Sequence, residues 1–106
     1  MKEFHLSAIL SATTKYVMAE LEDIYDIYSF VMGRPVYTHE LLYFRGEVQG
    51  ELLRQFPQFS EDKLNFELGI MHQELTGVED DEDRKGVVKV VIKVIAQNHA
   101  GGKEYF

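Results

Sequence analysis

The side chains that could do acid–base or metal chemistry in this sequence are four histidines and eighteen acidic residues. The histidines are His5, His39, His72 and His99, and no two of them have the spacing of an HExxH metal motif. Cysteine is absent from the sequence, and no serine lies in a GxSxG elbow. These patterns predict no catalytic residue, no metal site and no cofactor, and therefore a protein that is not an enzyme.

The acidic residues are concentrated in the first turns of predicted helices and in one charged segment, residues 79–86. That segment begins with Glu79, Asp80, Asp81, Glu82 and Asp83. Like charges repel one another and stay in water, so we predict an exposed acidic loop that would suit a basic surface on a protein partner. The formal net charge of −7 argues against direct binding to nucleic acid or to anionic membranes.

Two glycines and several polar side chains are the candidates for a binding site. Gly46 and Gly50 lie four residues apart inside a predicted helix, where each costs roughly 1 kcal/mol relative to alanine. Close packing against another element would explain them, and so would the approach of a ligand or of a partner's backbone. Tyr43 lies off the apolar stripe of the same helix. Together with Arg34 and Arg45 it could stack on a base or grip a protein partner.

Three helices are predicted from apolar residues that recur at intervals of three and four. They span residues 20–32, 39–55 and 61–76. Gly33 is placed as a C-cap and Pro57 ends the second helix, whereas Thr38 and Ser60 are placed as N-caps.

Two strands are predicted at the ends of the chain. Residues 87–96 are nearly all β-branched, and Lys89 and Lys93 mark one polar face. Residues 3–7 alternate between apolar and polar side chains, although a short helix over residues 7–14, capped by Ser7, also fits.

The predicted fold is therefore α+β, with three helices packed on a small antiparallel sheet that the N-terminal and C-terminal strands form side by side. We expect one globular domain over residues 1–106, with residues 97–106 as a flexible tail. No signal peptide and no membrane-spanning segment is recognisable, so the expected location is the cytoplasm.

Four short motifs occur in roughly the first 60 residues. They are Leu10-Ser11-Ala12-Thr13-Thr14, the helix end Phe30-Val31-Met32-Gly33, Tyr37-Thr38-His39-Glu40-Leu41, and Leu52-Leu53-Arg54-Gln55-Phe56-Pro57. As a set they resemble a family of small phage- and prophage-encoded proteins of unknown function. Carried over by position, the residues of interest are Thr13, Thr14, Thr38 and His39. Lys15 and Leu42 stand where that family usually has glycine and proline.

The resemblance implies a phage-type binding protein, because small phage proteins often counter host defences. The first hypothesis is an anti-defence inhibitor that binds a host protein in the host cytoplasm. The alternative is an oligomeric sponge for a nucleotide signal. The glycine pair, the aromatic residues near Arg34 and Arg45, and the apolar second face of residues 87–95, which invites homo-oligomer formation, support this alternative.

Overall fold

Five α-helices make up most of residues 3–106, the part of the chain that the computed structural model describes. They are α1 (Leu6–Thr13), α2 (Leu21–Met32), α3 (Leu41–Gln55), α4 (Asn65–Leu75) and α5 (Asp81–His99). Short 3₁₀ turns, Thr38–Glu40 and Pro57–Phe59, flank α3. The only β pairing within residues 3–106 is an isolated antiparallel bridge between His5 and Tyr105. The predicted α+β class with its antiparallel sheet is therefore wrong, and the described chain is all-helical.

Residues 87–96, predicted as a strand, form the middle of α5. The buried side chains of this helix recur on one face, as Val91, Ile92, Ile95 and Ala96. Lys89 and Lys93 are four residues apart, a spacing that puts them on one side of a strand and also on one side of a helix. The lysines therefore do not distinguish the two structures. Packing of the apolar face outweighs the weak strand preference of the β-branched residues.

The charged segment is the beginning of α5 and not a loop up to residue 86. Asp80 is the N-cap, and its Oδ1 accepts hydrogen bonds from the backbone N–H groups of Glu82 and Asp83, at 2.9 and 3.2 Å. The acids that follow lie at the positive end of the helix dipole, which offsets their mutual repulsion. The run of acids is thus a helix start signal.

The N-terminal segment, predicted as a strand over residues 3–7, pairs with the last residues of the chain. Phe4 and Phe106 exchange two backbone hydrogen bonds, of 2.8 and 2.9 Å, and the Leu6 N–H donates to the Glu104 carbonyl at 2.7 Å. We call this pairing of residues 4–6 with residues 104–106 the terminal clasp. The predicted pairing of residues 3–7 with a strand at residues 87–96 is therefore wrong, because residues 4–6 pair instead with residues 104–106, and over too few residues to make a sheet.

Helix α1 begins immediately after this pairing, so the alternative of a helix near Ser7 is closer to the structure than the strand. His5 is its N-cap, and the His5 Nδ1 accepts a hydrogen bond from the Ser7 N–H at 3.1 Å. Six of the eight residues of α1 are buried. The helix contacts α2, α3 and α5, which makes it the centre of the core.

Helices α2 and α3 confirm the predictions made from their stop signals. Helix α2 ends at Gly33, whose φ of 73° lies in the left-handed region that glycine adopts without strain. Helix α3 ends before Pro57, as predicted. Helix α4 starts four residues later than expected, because residues 61–64 form turns that begin at Ser60.

Residues 97–106, predicted as a turn and flexible tail, begin within α5, which continues to His99. The Phe106 ring lies with its centroid 5.4 Å from those of Phe56 and Phe59, both in edge-to-face geometry. The flexibility of this segment stays a prediction. Across residues 3–106, no helix is long and apolar enough to cross a lipid bilayer.

Candidate functional site

An exposed group of large side chains lies where the first 3₁₀ turn leads into α3. It consists of Tyr37, His39, Leu42 and Tyr43, which we call the aromatic turn. Leu42, Tyr43 and Tyr37 are 84, 79 and 64 % exposed. The rings of Tyr37 and His39 are parallel, with centroids 6.3 Å apart. Large apolar and aromatic side chains that point into water next to one another are typical of a binding surface.

Glu40 fixes the backbone of the aromatic turn. Its carboxylate accepts two hydrogen bonds from the Arg34 guanidinium, at 2.8 and 3.3 Å, and one from the Tyr37 N–H at 3.1 Å. The Glu40 N–H in turn donates to the Tyr37 carbonyl at 2.9 Å. These bonds, led by the one from Arg34, lower the pKa of Glu40 to about 2. The carboxylate therefore stays ionised and bonded at neutral pH.

Two more contacts attach the turn to its neighbours. The Thr38 hydroxyl is hydrogen-bonded to the hydroxyl of Tyr25 on α2. The Arg34 guanidinium lies over the Phe44 ring, 5.0 Å from its centroid, which is a cation–π geometry. Thr38 was predicted as the N-cap of the helix, whereas it is the first residue of the 3₁₀ turn that precedes α3.

The structure thus brings together Arg34, Thr38, His39 and Tyr43 of the predicted binding residues. All four are exposed at one place on the surface. The positive charge of Arg34 is neutralised there by Glu40, so this arginine adds little attraction for an anionic ligand.

Gly46 and Gly50 lie on the same helix as the aromatic turn, and both are exposed. Among the residues that the structure describes, a Cβ atom added at either position meets nothing within 4 Å beyond its own helix and its chain neighbours. The explanation by close packing inside the domain is therefore wrong. At intervals of four residues, Leu42, Gly46 and Gly50 follow one line along α3, where the two glycines leave the backbone open to approach.

Thr13, Thr14 and Arg45 form a separate, buried arrangement between α1 and α3. Both threonines are fully buried. The carbonyl of Thr14 accepts a hydrogen bond from Arg45 at 3.1 Å, and that of Thr13 accepts one from Gln49 at 3.0 Å. These side chains satisfy carbonyl groups that the end of α1 would otherwise leave unpaired. These contacts give Thr13, Thr14 and Arg45 a structural role, because they join the end of α1 to α3.

A buried carboxylate that sequence reasoning missed joins α4 to α5. Glu67 Oε1 lies 3.1 Å from Asn98 Nδ2 and 2.9 Å from His99 Nε2. Burial acts to raise the pKa of Glu67, but the hydrogen bonds from Asn98 and His99 oppose it and the net shift is downward. The second oxygen, Oε2, is buried and has no hydrogen-bond partner among residues 3–106. No spacing in the sequence indicates this contact, because it joins residues more than thirty positions apart.

Within residues 3–106, no three His, Asp or Glu side chains lie close enough together to hold a metal ion. A family model described as a domain of unknown function (DUF7736) matches residues 4–62. The match covers α1 to α3 and the aromatic turn, and it ends before α4. The resemblance of roughly the first 60 residues to a family of unknown function is thereby confirmed in its coarser form. Comparisons with curated proteins and with solved structures find no match.

Proposed function

We propose, from the premise that this chain belongs to the DUF7736 family of domains of unknown function, that it is a small non-enzymatic binding protein whose aromatic turn docks on another protein. The observation that carries the proposal is the exposure of Leu42 and Tyr43, at 84 and 79 %, on the first turn of α3. Burying two side chains of this size would stabilise a complex by several kcal/mol, at roughly 1.5–3 kcal/mol for each fully buried large apolar side chain.

The rigidity of the aromatic turn supports this proposal. The Arg34–Glu40 pair and the hydrogen bond between Tyr25 and Thr38 attach the backbone of the turn to its neighbours before any partner binds. A pre-ordered surface loses less conformational entropy on association, at roughly 0.5–1.5 kcal/mol for each side chain that need not be immobilised.

The open glycines indicate how a partner would approach. Gly46 and Gly50 leave no side chain in the way next to Leu42, so the backbone of a partner helix can come close to α3. This role would also offset the roughly 1 kcal/mol that each glycine costs inside a helix.

The kind of partner follows from the resemblance and from charge. We propose a host protein as the target and inhibition of a host defence as the consequence, in a phage-encoded protein that acts in the host cytoplasm. The acids from Glu79 to Asp83 are exposed at the start of α5 and would be attracted to a basic surface on the target.

The experiment is capture of a partner from host lysate by the tagged chain, with the double variant Leu42→Ser/Tyr43→Ser beside it. We expect one partner to be retained by the original chain at both low and high salt, and at least tenfold less of it by the variant. Phe66→Ser on α4 is the matched control, because Phe66 is also large and 71 % exposed but lies outside the aromatic turn. Retention by the double variant equal to that by the control would show that the aromatic turn is not the docking surface.

The alternative, an oligomeric nucleotide-binding sponge, keeps one observation in its favour. The apolar second face predicted for residues 87–95 is not available for self-association, because its residues Val91 and Ile95 are buried in the core. What remains is Val90 and Val94 of α5, which are 62 and 40 % exposed and four residues apart on one side of the helix. Homo-oligomer formation stays a prediction. Light scattering of the purified chain separates a monomer from an oligomer, and Val90→Glu would return an oligomer of this kind to the monomer mass.

A further inference from the structure

A cleft of about 620 Å³ lies between the segment that follows α1, the beginning of α2 and one side of α5. Its volume is within the range of sites that hold small organic molecules, roughly 300–1,000 Å³. Its apolar lining includes Met18, Met71, Val88 and Ile92. The cleft is separate from the aromatic turn, because none of the four residues of that turn lines it.

The cleft concentrates positive charge in an acidic protein. Four cationic side chains line it, those of Lys15, Arg84, Lys85 and Lys89. Three carboxylates also line it, those of Glu20, Asp23 and Asp81. The cleft therefore has an excess of one cation, whereas the rest of the chain has seven lysines and arginines against fifteen acids, from totals of 11 and 18. A local excess of this kind attracts anions even when the net charge of the protein is negative.

Two of these cations already have partners. The Arg84 guanidinium donates to the Val78 carbonyl at 2.9 Å. The Lys85 ammonium lies 3.5 Å from Asp81 and 3.9 Å from Glu20, and these carboxylates raise the pKa of Lys85. The charge of Lys85 is therefore offset by carboxylates, whereas Arg84 is bonded to a neutral carbonyl and keeps its charge.

The other two cations have no carboxylate within 4 Å among the described residues. Lys89 is one helical turn beyond Lys85, about 6 Å further along the α5 axis. Lys15 comes from the segment after α1, and its ammonium lies 5.6 Å from the centroid of the Tyr16 ring. The cleft therefore contains a carboxylate-bound lysine, Lys85, and one turn away a lysine, Lys89, that has no carboxylate within 4 Å in the described part of the chain.

We propose that this cleft binds a small phosphate ester that carries a planar aromatic ring, of the size of a nucleoside monophosphate. Lys15 and Lys89 bind the phosphate, which lysine recognises as a point charge. Val88 and Ile92 contact the ring. Carboxylates accept hydrogen bonds and do not donate them, so Glu20 and Asp23 suit the hydroxyl groups of a sugar.

Titration calorimetry with AMP tests the site, with adenosine as the probe that lacks the phosphate. We expect AMP to bind the original chain, adenosine to bind at least tenfold more weakly, and Lys15→Ala and Lys89→Ala each to weaken AMP binding at least fivefold. Lys93→Ala is the matched control, because Lys93 is one turn beyond Lys89 on α5 and does not line the cleft. It should leave the affinity within twofold.

Three outcomes would overturn the proposal. They are no detectable AMP binding at millimolar concentration, an equal loss in Lys93→Ala, and unchanged binding in both Lys15→Ala and Lys89→Ala. The Leu42→Ser/Tyr43→Ser variant should bind AMP as the original chain does, so failure of the docking proposal and failure of this one are distinguishable.

Discussion

Glu40 is the residue on which the conformation of the aromatic turn depends. Its pKa of about 2 lies below the value near 4.3 of an unfolded chain, so its contribution to stability is present above that value and is lost as the pH falls toward 2. The turn should therefore keep its conformation throughout the neutral and mildly acidic range.

Replacing Arg34 tests this assignment directly. We expect Arg34→Met to raise the pKa of Glu40 toward its ordinary value, because the largest cause of the downward shift is the hydrogen bond from Arg34. Side-chain carboxyl signals followed by NMR during a pH titration give the value. Glu51 is an internal control, because Arg54 and Gln55 hold its pKa at about 2 independently of Arg34. A shift of both carboxyl groups, or of neither, would contradict the assignment.

At the contact between α4 and α5, we expect the substitution of Glu67 to have the largest effect on the stability of the fold. We expect Glu67→Gln to lower the free energy of unfolding at pH 7 by about 1–3 kcal/mol, because the variant weakens charge-assisted hydrogen bonds to Asn98 and His99 in a buried place. Glu74→Gln on the exposed side of α4 should change it by less than about 0.5 kcal/mol. Urea unfolding monitored by circular dichroism gives both values.

The pH dependence of that variant gives a second measurement. The pKa of Glu67 is lowered in the folded chain, so its contribution is present above the unfolded value and disappears as the pH falls through the folded value. Stability of Glu67→Gln should therefore fall less than that of the original chain on acidification below about pH 4.3. An equally steep fall in both proteins would exclude Glu67 as a source of acid sensitivity.

At the scale of the element, the stability of helix α5 depends on its N-cap residue, Asp80. We expect Asp80→Ala to lower the free energy of unfolding by about 1 kcal/mol, because two backbone N–H groups lose their acceptor. Glu79→Ala removes the same charge one position earlier, outside the helix, and serves as the control. Equal effects of the two variants would mean that charge, and not capping, is what matters there.

The sequence predicts well the ends of those helices that are followed by a helix-terminating residue, glycine or proline. Gly33 and Pro57 end α2 and α3, and each acts through its own backbone chemistry without help from the rest of the fold. The strand prediction for residues 87–96 failed because two lysines at an interval of four fit both periodicities. The deciding signal is Asp80 with the acids after it, which mark a helix N-terminus and not a loop.

Contacts between elements were not predictable in the same way. Arg34, Thr38, His39 and Tyr43 come together because they are neighbours in sequence, so their grouping could be anticipated. Glu67 meets Asn98 and His99, and Lys15 shares a cleft with Lys89, only because helices pack in a particular order. A sequence without aligned relatives contains no information on such pairs beyond their chemical compatibility.

At the scale of the whole molecule, Phe106 connects the terminal clasp to the core. We expect Phe106→Ala to lower the free energy of unfolding by about 2 kcal/mol, because the ring packs against both Phe56 and Phe59. Hydrogen exchange at the amides of Phe4 and Leu6 should become faster, because their acceptors lie in the terminal clasp. Tyr105→Ala, at a position 55 % exposed, should have a smaller effect. Exchange unchanged in Phe106→Ala would favour the flexible tail.

The terminal clasp brings residues 4 and 106 next to each other in space, because their backbones are hydrogen-bonded. A few added residues would bridge them covalently, and the backbone could then be cut in the α4–α5 connection at Gly77 without breaking a helix. Such a circular permutant should fold to the same arrangement, with its new ends remote in sequence from the aromatic turn. It would also allow a fusion partner to be attached without disturbing the residues around His5.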